Sequence, residues 1–210
     1  MNEAEYKHLF KECRRLDDGP DYRESNYALN MINTALDFMA RVETVNAAME
    51  YYKNKVGYKS HRKLKELVES FPNTKKGNMA LASHLWSNNM WTRAKFLRVL
   101  LKEFEKRGIR GQKSLTRWLA DASFEHDIKG KFKSRDHSMG IAIFHWLCLR
   151  CGIDTIKPDV HVLNFVKEVI GRKPTPQECV ESLTRIANQQ RRKCYSLDSA
   201  IWHRQRDRDN

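Results

Sequence analysis

The stretch that most constrains the fold of this chain runs from Ile141 to Phe165. Its first part, Ile-Ala-Ile-Phe-His-Trp-Leu-Cys-Leu149, is apolar almost all round, a composition a helix sustains when neighbours enclose it. Gly152 ends that helix, and beyond Pro158 the residues Val162, Leu163, Val166, Val169 and Ile170 recur at helical spacing, giving a second helix one buried face. The spacing places Pro158 in the first turn, where its missing N–H costs nothing, and Asp159 beside that turn's unpaired amides. On local chemistry alone Asp159 reads as a helix cap, worth roughly 1 kcal/mol.

The rest of the chain repeats the helical period. Residues 1–18 predict a helix with Ala4, Leu9, Phe10, Cys13 and Leu16 on one face, broken by Asp17-Asp-Gly-Pro. Residues 26–52 predict a long helical pattern with Leu29, Ile32, Leu36, Met39 and Val45 inward, interrupted or bent at Asn30 or Asn33 and stopped by Gly57. Residues 60–70 give a short helix closed by Phe71-Pro72, followed by a basic loop at 73–77. Further helices follow at 78–90, 92–107 and 114–124. Thr175 with Glu178 three residues on signals a capped helix over 177–193. A short helix at 196–202 then precedes a frayed, charged tail. No useful strand alternation occurs, so the expected class is all-α with about ten helices.

At 210 residues and 40% hydrophobic content the chain is long enough for a sizeable core, as one domain or two packed lobes. Its formal charge of +13 is spread along the sequence and implies an anionic partner met by a folded basic surface. The start of the chain does not read as a signal peptide, and no apolar run approaches the roughly 18 residues of a membrane span. The expectation is a monomer away from membranes, cytoplasmic and nucleoid-associated, or nuclear in a eukaryote. Five widely spaced cysteines argue against disulfides. Cys148 and Cys151 form a C-x2-C pair inside the apolar helix and read as buried small hydrophobes. Neither a metal nor a cofactor is expected.

Directly before the apolar helix, residues 129–140 hold Lys129, Lys131, Lys133 and Arg135 with two glycines. Backbone amides of such a loop and of the helix start after it suit a phosphate, and an ordinary solvated loop fits the composition equally. The nucleotide phosphate-loop pattern is absent.

Gly140-Ile-Ala, the buried helix, a short break and then Lys157-Pro-Asp-Val-His-Val162 together resemble the helix-hairpin-helix base-excision DNA glycosylase superfamily, with 18 residues from Ile141 to Asp159. The resemblance implies a two-lobed helical fold. One lobe would be a central bundle over residues 26–145, and the other would be formed by residues 1–25 and 146–210, with the DNA cleft and Asp159 between them. It also implies a catalytic Asp, matched by Asp159 in Asp-Val-His-Val, and a hairpin binding DNA phosphate. The specific match is confined to residues 137–163. The family's Leu-Pro-Gly-x-Gly hairpin is replaced here by Asp136-His-Ser-Met-Gly140, which keeps one glycine. Ile141 and Ala142 stand where strand-cleaving members carry a lysine, so the resemblance implies hydrolysis without lyase chemistry. The iron–sulfur cysteine cluster of some members is also missing.

On this reading the protein removes an altered base flipped out of duplex DNA, with Asp159 stabilising the sugar cation or orienting water. Lys131, Lys133, Arg135, Ser138, Met139, Gly140, Ile141, Lys157 and His161 would meet the DNA. Tyr27, His84, Trp86, Trp91 and Trp118 are candidates for the base pocket, although core packing explains each of them too. The alternatives are a non-catalytic DNA-binding protein of the same fold, an enzyme acting on hypermodified pyrimidines, and, weakest, an RNA-binding helical module.

Overall fold

The computed structural model describes residues 1–37, 40–57 and 59–209. These residues are helical, with no strand among them and one isolated antiparallel bridge, between Lys133 and Ser138. The chain divides into two compact units, residues 1–23 with 144–210, and residues 24–143.

The first unit contains α1 (Glu3–Arg14), most of α8 (Ile141–Arg150), α9 (Val160–Ile170), α10 (Pro176–Gln189) and α11 (Cys194–Asp209). Here α9 packs against α1, α10 and α11. Leu9, Cys13, Val162, Phe165, Val166, Leu183, Ile186, Leu197 and Ile201 form its core, each side chain contributing on the order of 1.5–3 kcal/mol through removal from water. Tyr6 takes the inward place expected for Ala4, which is exposed, because its hydroxyl reaches the Gln189 side chain at 2.9 Å while its ring stays covered.

The expected frayed tail is instead the second half of α11. Gln205 is buried and donates to Glu168 at 3.2 Å, Arg208 pairs with the same carboxylate at 2.6 Å, and Arg204 lies over the Phe165 ring. Those contacts order residues that composition alone marks as solvated. The start of α10 does carry the capping box of Thr175 and Glu178, with Pro176 in its first turn.

The second unit contains α2 (Tyr27–Leu36), α3 (Val42–Tyr51), α4 (His61–Glu69), α5 (Lys75–Trp86), α6 (Trp91–Lys106) and α7 (Gln112–Asp121), with π-helical turns at Tyr52–Val56 and Phe124–Ile128. The long helical pattern expected over 26–52 is interrupted, but between Leu36 and Val42. Asn30 and Asn33 do not cause the break. Asn30 is buried inside α2, donating to the Glu24 carbonyl and to Gln112, both at 2.9 Å. The helix ends at Leu36, whose carbonyl accepts from Arg93 Nε at 3.1 Å. Met39, expected in the core, lies outside the described residues.

The stretch 73–77 is not the expected loop. Thr74 caps α5 by accepting from the Gly77 amide at 3.1 Å, and Lys75 to Gly77 form its first turn. A side chain at Gly77 would come within 2.0 Å of the Pro72 carbonyl oxygen, so this helix start closes only around glycine.

Two local differences bear on the candidate site. The segment before α8 is a five-residue π-helical turn and a small loop, where a hairpin of two α-helices would need a full helix. In addition, α8 is less enclosed than its sequence implies: Ile143, Phe144, Leu147, Cys148 and Leu149 are buried, whereas Ile141, Ala142, His145, Trp146 and Arg150 remain partly exposed.

Candidate functional site around Asp159

Asp159 is the N-cap of α9, which begins at Val160, so Pro158 lies just outside the helix and not in its first turn. Asp159 Oδ1 accepts the amides of His161 at 3.0 Å and Val162 at 3.2 Å. This satisfies two of the amides that every helix start leaves unpaired. Asp159 Oδ2 lies 3.6 Å from Lys157 Nζ, and the two side chains are 15% and 14% exposed. One oxygen is therefore fixed by backbone while the other meets an ammonium at the edge of solvent. The next residue, Val160, is 61% exposed. It is an apolar side chain left open beside the carboxylate.

A second carboxylate lies behind this turn. Asp198, on α11 and buried, accepts the Lys157 amide at 2.6 Å. Burial, reinforced by the negative charge of Asp159, pushes its acidity well above the ordinary carboxylate range. Asp198 thus fixes the backbone two residues before Asp159 from a site that penalises its charged form. Tyr22 belongs to the same cluster: burial raises its hydroxyl, and the charges of Asp198 and Asp159 add to the effect. Its ring meets Trp146 of α8 edge-on at 5.1 Å. Lys157 Nζ is 4.6 Å from the centre of the Trp146 ring and the Arg150 guanidinium is 5.6 Å from it. The His161 ring packs edge-on against Trp202 at 5.6 Å. Lower in α8, His145 Nδ1 shares a 2.8 Å hydrogen bond with Thr155 Oγ1, and burial lowers its pKa to about 4.

The basic loop belongs to the other unit and has a definite shape. The Met139 amide donates to the Phe132 carbonyl at 2.9 Å and the Ser134 amide to the His137 carbonyl at 2.7 Å. Asp136 pairs with Lys95 at 3.4 Å, and the His137 ring shares a 2.8 Å hydrogen bond with Thr92, tying the loop to α6. Lys131, Lys133, Arg135 and Ser138 are exposed, with the Lys131 ammonium also donating to the His126 carbonyl. Met139 is buried and its amide is already bonded, so it does not serve as one of the amides expected to hold phosphate. Gly140 has no left-handed backbone, and a side chain there would meet nothing within 4 Å.

The aromatic residues expected to form a base pocket do not share one environment. Trp86 is 2% exposed and Tyr27 is also buried, its ring edge-on to His61 at 5.3 Å. Their indole N–H and hydroxyl find no hydrogen-bond partner among the described residues. Trp91 lies under Lys75 at 5.7 Å, and His84 is exposed beside Phe71. Trp118 packs against Phe104 and Phe132 and borders an open cavity of about 460 Å³ with Arg107 and Arg117. A larger cavity of about 790 Å³ lies in the first unit between the end of α1 and the turn after α10, lined by Arg14, Asp17, Gln190 and Lys193 among others, and it does not include Asp159.

All five cysteines are free and buried in the first unit. Burial drives the Cys13 and Cys179 thiols up to about 12. Among the described residues no group of three or more His, Cys, Asp or Glu side chains is placed to hold a metal ion, and no helix is long and apolar enough to cross a membrane.

Residues 5–206 match the domain of unknown function DUF8548, and the chain belongs to that family. The match spans both units and includes every residue of the Asp159 cluster. No curated protein and no solved structure matches the chain.

Proposed function

We propose that this protein is a monofunctional DNA N-glycosylase in which Asp159 is the catalytic carboxylate. The observation that carries the reading is the division of labour between its oxygens: Oδ1 is held by two amides of α9, and Oδ2 faces Lys157 at the solvent edge. A carboxylate used for capping alone has no need of a second oxygen held in place by a cation.

In the proposed reaction the bond between C1′ and the base nitrogen breaks with its electron pair going to the base. Positive charge develops on the sugar, where the fixed carboxylate stabilises it. Water then adds to C1′, and its proton ends on the departed base, so one water is consumed. Val160 offers an apolar surface for the sugar carbons. The net charge of +13 and the exposed Lys131, Lys133 and Arg135 support binding to a phosphate backbone.

A second reading, a duplex-binding protein without base release, rests on the charge alone: the exposed Lys131, Lys133 and Arg135 and the net charge of +13 bind a phosphate backbone without any catalytic carboxylate.

Base release from duplexes carrying uracil, alkylated adenine, oxidised guanine, hypermodified pyrimidines or mismatches, with D159N as control, separates the two. The enzyme reading expects release from at least one duplex and loss of it in D159N. Salt-dependent duplex binding with no release, or release indifferent to D159N, supports the second reading and removes the first.

A further inference from the structure

Trp146, which lies outside the set of pocket residues expected from sequence, shares the Lys157 ammonium with Asp159. It is only partly covered, Tyr22 meets it edge-on, and two cations converge on it, Lys157 at 4.6 Å and Arg150 at 5.6 Å from the ring centre. The same Lys157 ammonium lies 3.6 Å from Asp159 Oδ2. One flexible cation therefore touches both an indole and the proposed catalytic carboxylate. A tryptophan used only for packing is sealed from solvent, as Trp86 is at 2% exposure. Trp146 instead combines a π surface, two long cationic arms and a neighbouring carboxylate. These are the groups that a nucleotide within a strand requires: a flat base to stack, phosphates to neutralise and a sugar beside the carboxylate.

Resting on the glycosylase reading, we infer that Trp146 is the surface on which the extruded nucleotide stacks, with Lys157 and Arg150 taking the phosphates flanking it. Base–aromatic stacking is stronger than a solvent-edge contact between an ammonium and an indole. An arriving base therefore displaces Lys157 from the ring, and the freed ammonium moves to phosphate. That movement also uncovers Asp159 Oδ2, so the carboxylate becomes available when a nucleotide is in place. Tyr22 walls one edge of the platform, and its buried hydroxyl stays protonated beside the two aspartates.

The test is the emission of a duplex carrying a single 2-aminopurine mismatch, titrated with wild-type protein, W146F and W146L. Stacking on the indole quenches the extruded analogue. W146L should give a complex several-fold brighter than wild type, W146F an intermediate one, with affinity for unmodified duplex changed less than about twofold. In parallel, wild-type protein is photocross-linked to a duplex containing 5-iodouracil and the adduct is mapped by peptide mass spectrometry, a measurement independent of how well W146L folds. An adduct on the peptide carrying Trp146 is expected. Equal emission from wild type and W146L, or adducts confined to other aromatic residues, would overturn the inference. If base release sensitive to D159N survives that result, the glycosylase reading stands without this platform. Quenching that depends on Trp146, with no base released from any duplex, keeps the nucleotide subsite and removes the glycosylase reading.

Discussion

Asp198 accepts the backbone amide of Lys157 at 2.6 Å from a position sealed off from solvent. The bond ties α11 to the turn that presents Asp159. It also places a buried carboxyl group where its charged form is penalised and its carbonyl oxygen is needed.

D198A should therefore leave the Lys157 amide without its partner and cost about 1–3 kcal/mol of stability, whereas D198N keeps an acceptor oxygen and stays near wild type below about pH 4. The pH dependence has a definite sign. The folded-state pKa is raised, so the contribution of Asp198 is fully present below its unfolded value of about 3.9 and is lost as pH rises through the folded value. Urea titrations across pH should show wild type losing stability relative to D198N above about pH 4. Parallel curves for the two proteins would contradict this account.

Capping and catalysis at Asp159 separate by substitution. Asparagine caps a helix about as well as aspartate, so D159N should unfold within about 0.5 kcal/mol of wild type, while D159A loses roughly 1 kcal/mol. Base release should be lost in both. Chemical denaturation alongside the release assay reads the two effects independently.

His145 gives a stability signature at mildly acidic pH. Its folded pKa is lowered by burial from 6.5 to about 4, so the unfolded chain binds the extra proton first. Stability is then lost as pH falls from 6.5 towards 4, and H145Q should flatten that part of the curve. Melting temperatures of the two proteins, measured through this window, check the sign.

The glycines at 77 and 140 should respond oppositely to alanine. A methyl group at Gly77 collides with the Pro72 carbonyl oxygen, 2.0 Å away, and G77A should cost at least about 1–3 kcal/mol. At Gly140 nothing lies within 4 Å and the backbone is ordinary, so G140A should fold within about 0.5 kcal/mol of wild type. A large loss in G140A would show that this turn is tighter than its geometry indicates.

The helical class was legible because apolar residues repeat at helical spacing through most of the chain, and that periodicity is a local property. The start of α9 was legible to within about two residues for the same reason: Pro158 and Asp159 punctuate an apolar period. The Asp198 contact was not legible, because Asp198 reaches Lys157 from a distant part of the sequence and leaves no mark in its own surroundings. Trp146 lay inside the most conspicuous stretch, yet its partners Tyr22 and Lys157 arrive from other segments, so its apolar neighbours made it read as core. The second half of α11 was hidden because its order comes from Glu168 and Phe165 on α9, not from the Arg-Asp composition of the tail itself.

The first unit joins residues 1–23 to residues 144–210, with α1 packed on α9 and α10. During synthesis α1 is made well before α9 and α10 and lacks these partners until they follow. Residues 24–143 hold all the chain needed for their own unit well before that point. The setting of Asp159 therefore matures after that of residues 24–143. A ribosome stalled before α11 would carry a folded second unit and an orphaned helix α1, and any activity that depends on Asp159 would begin only once α11 has been made.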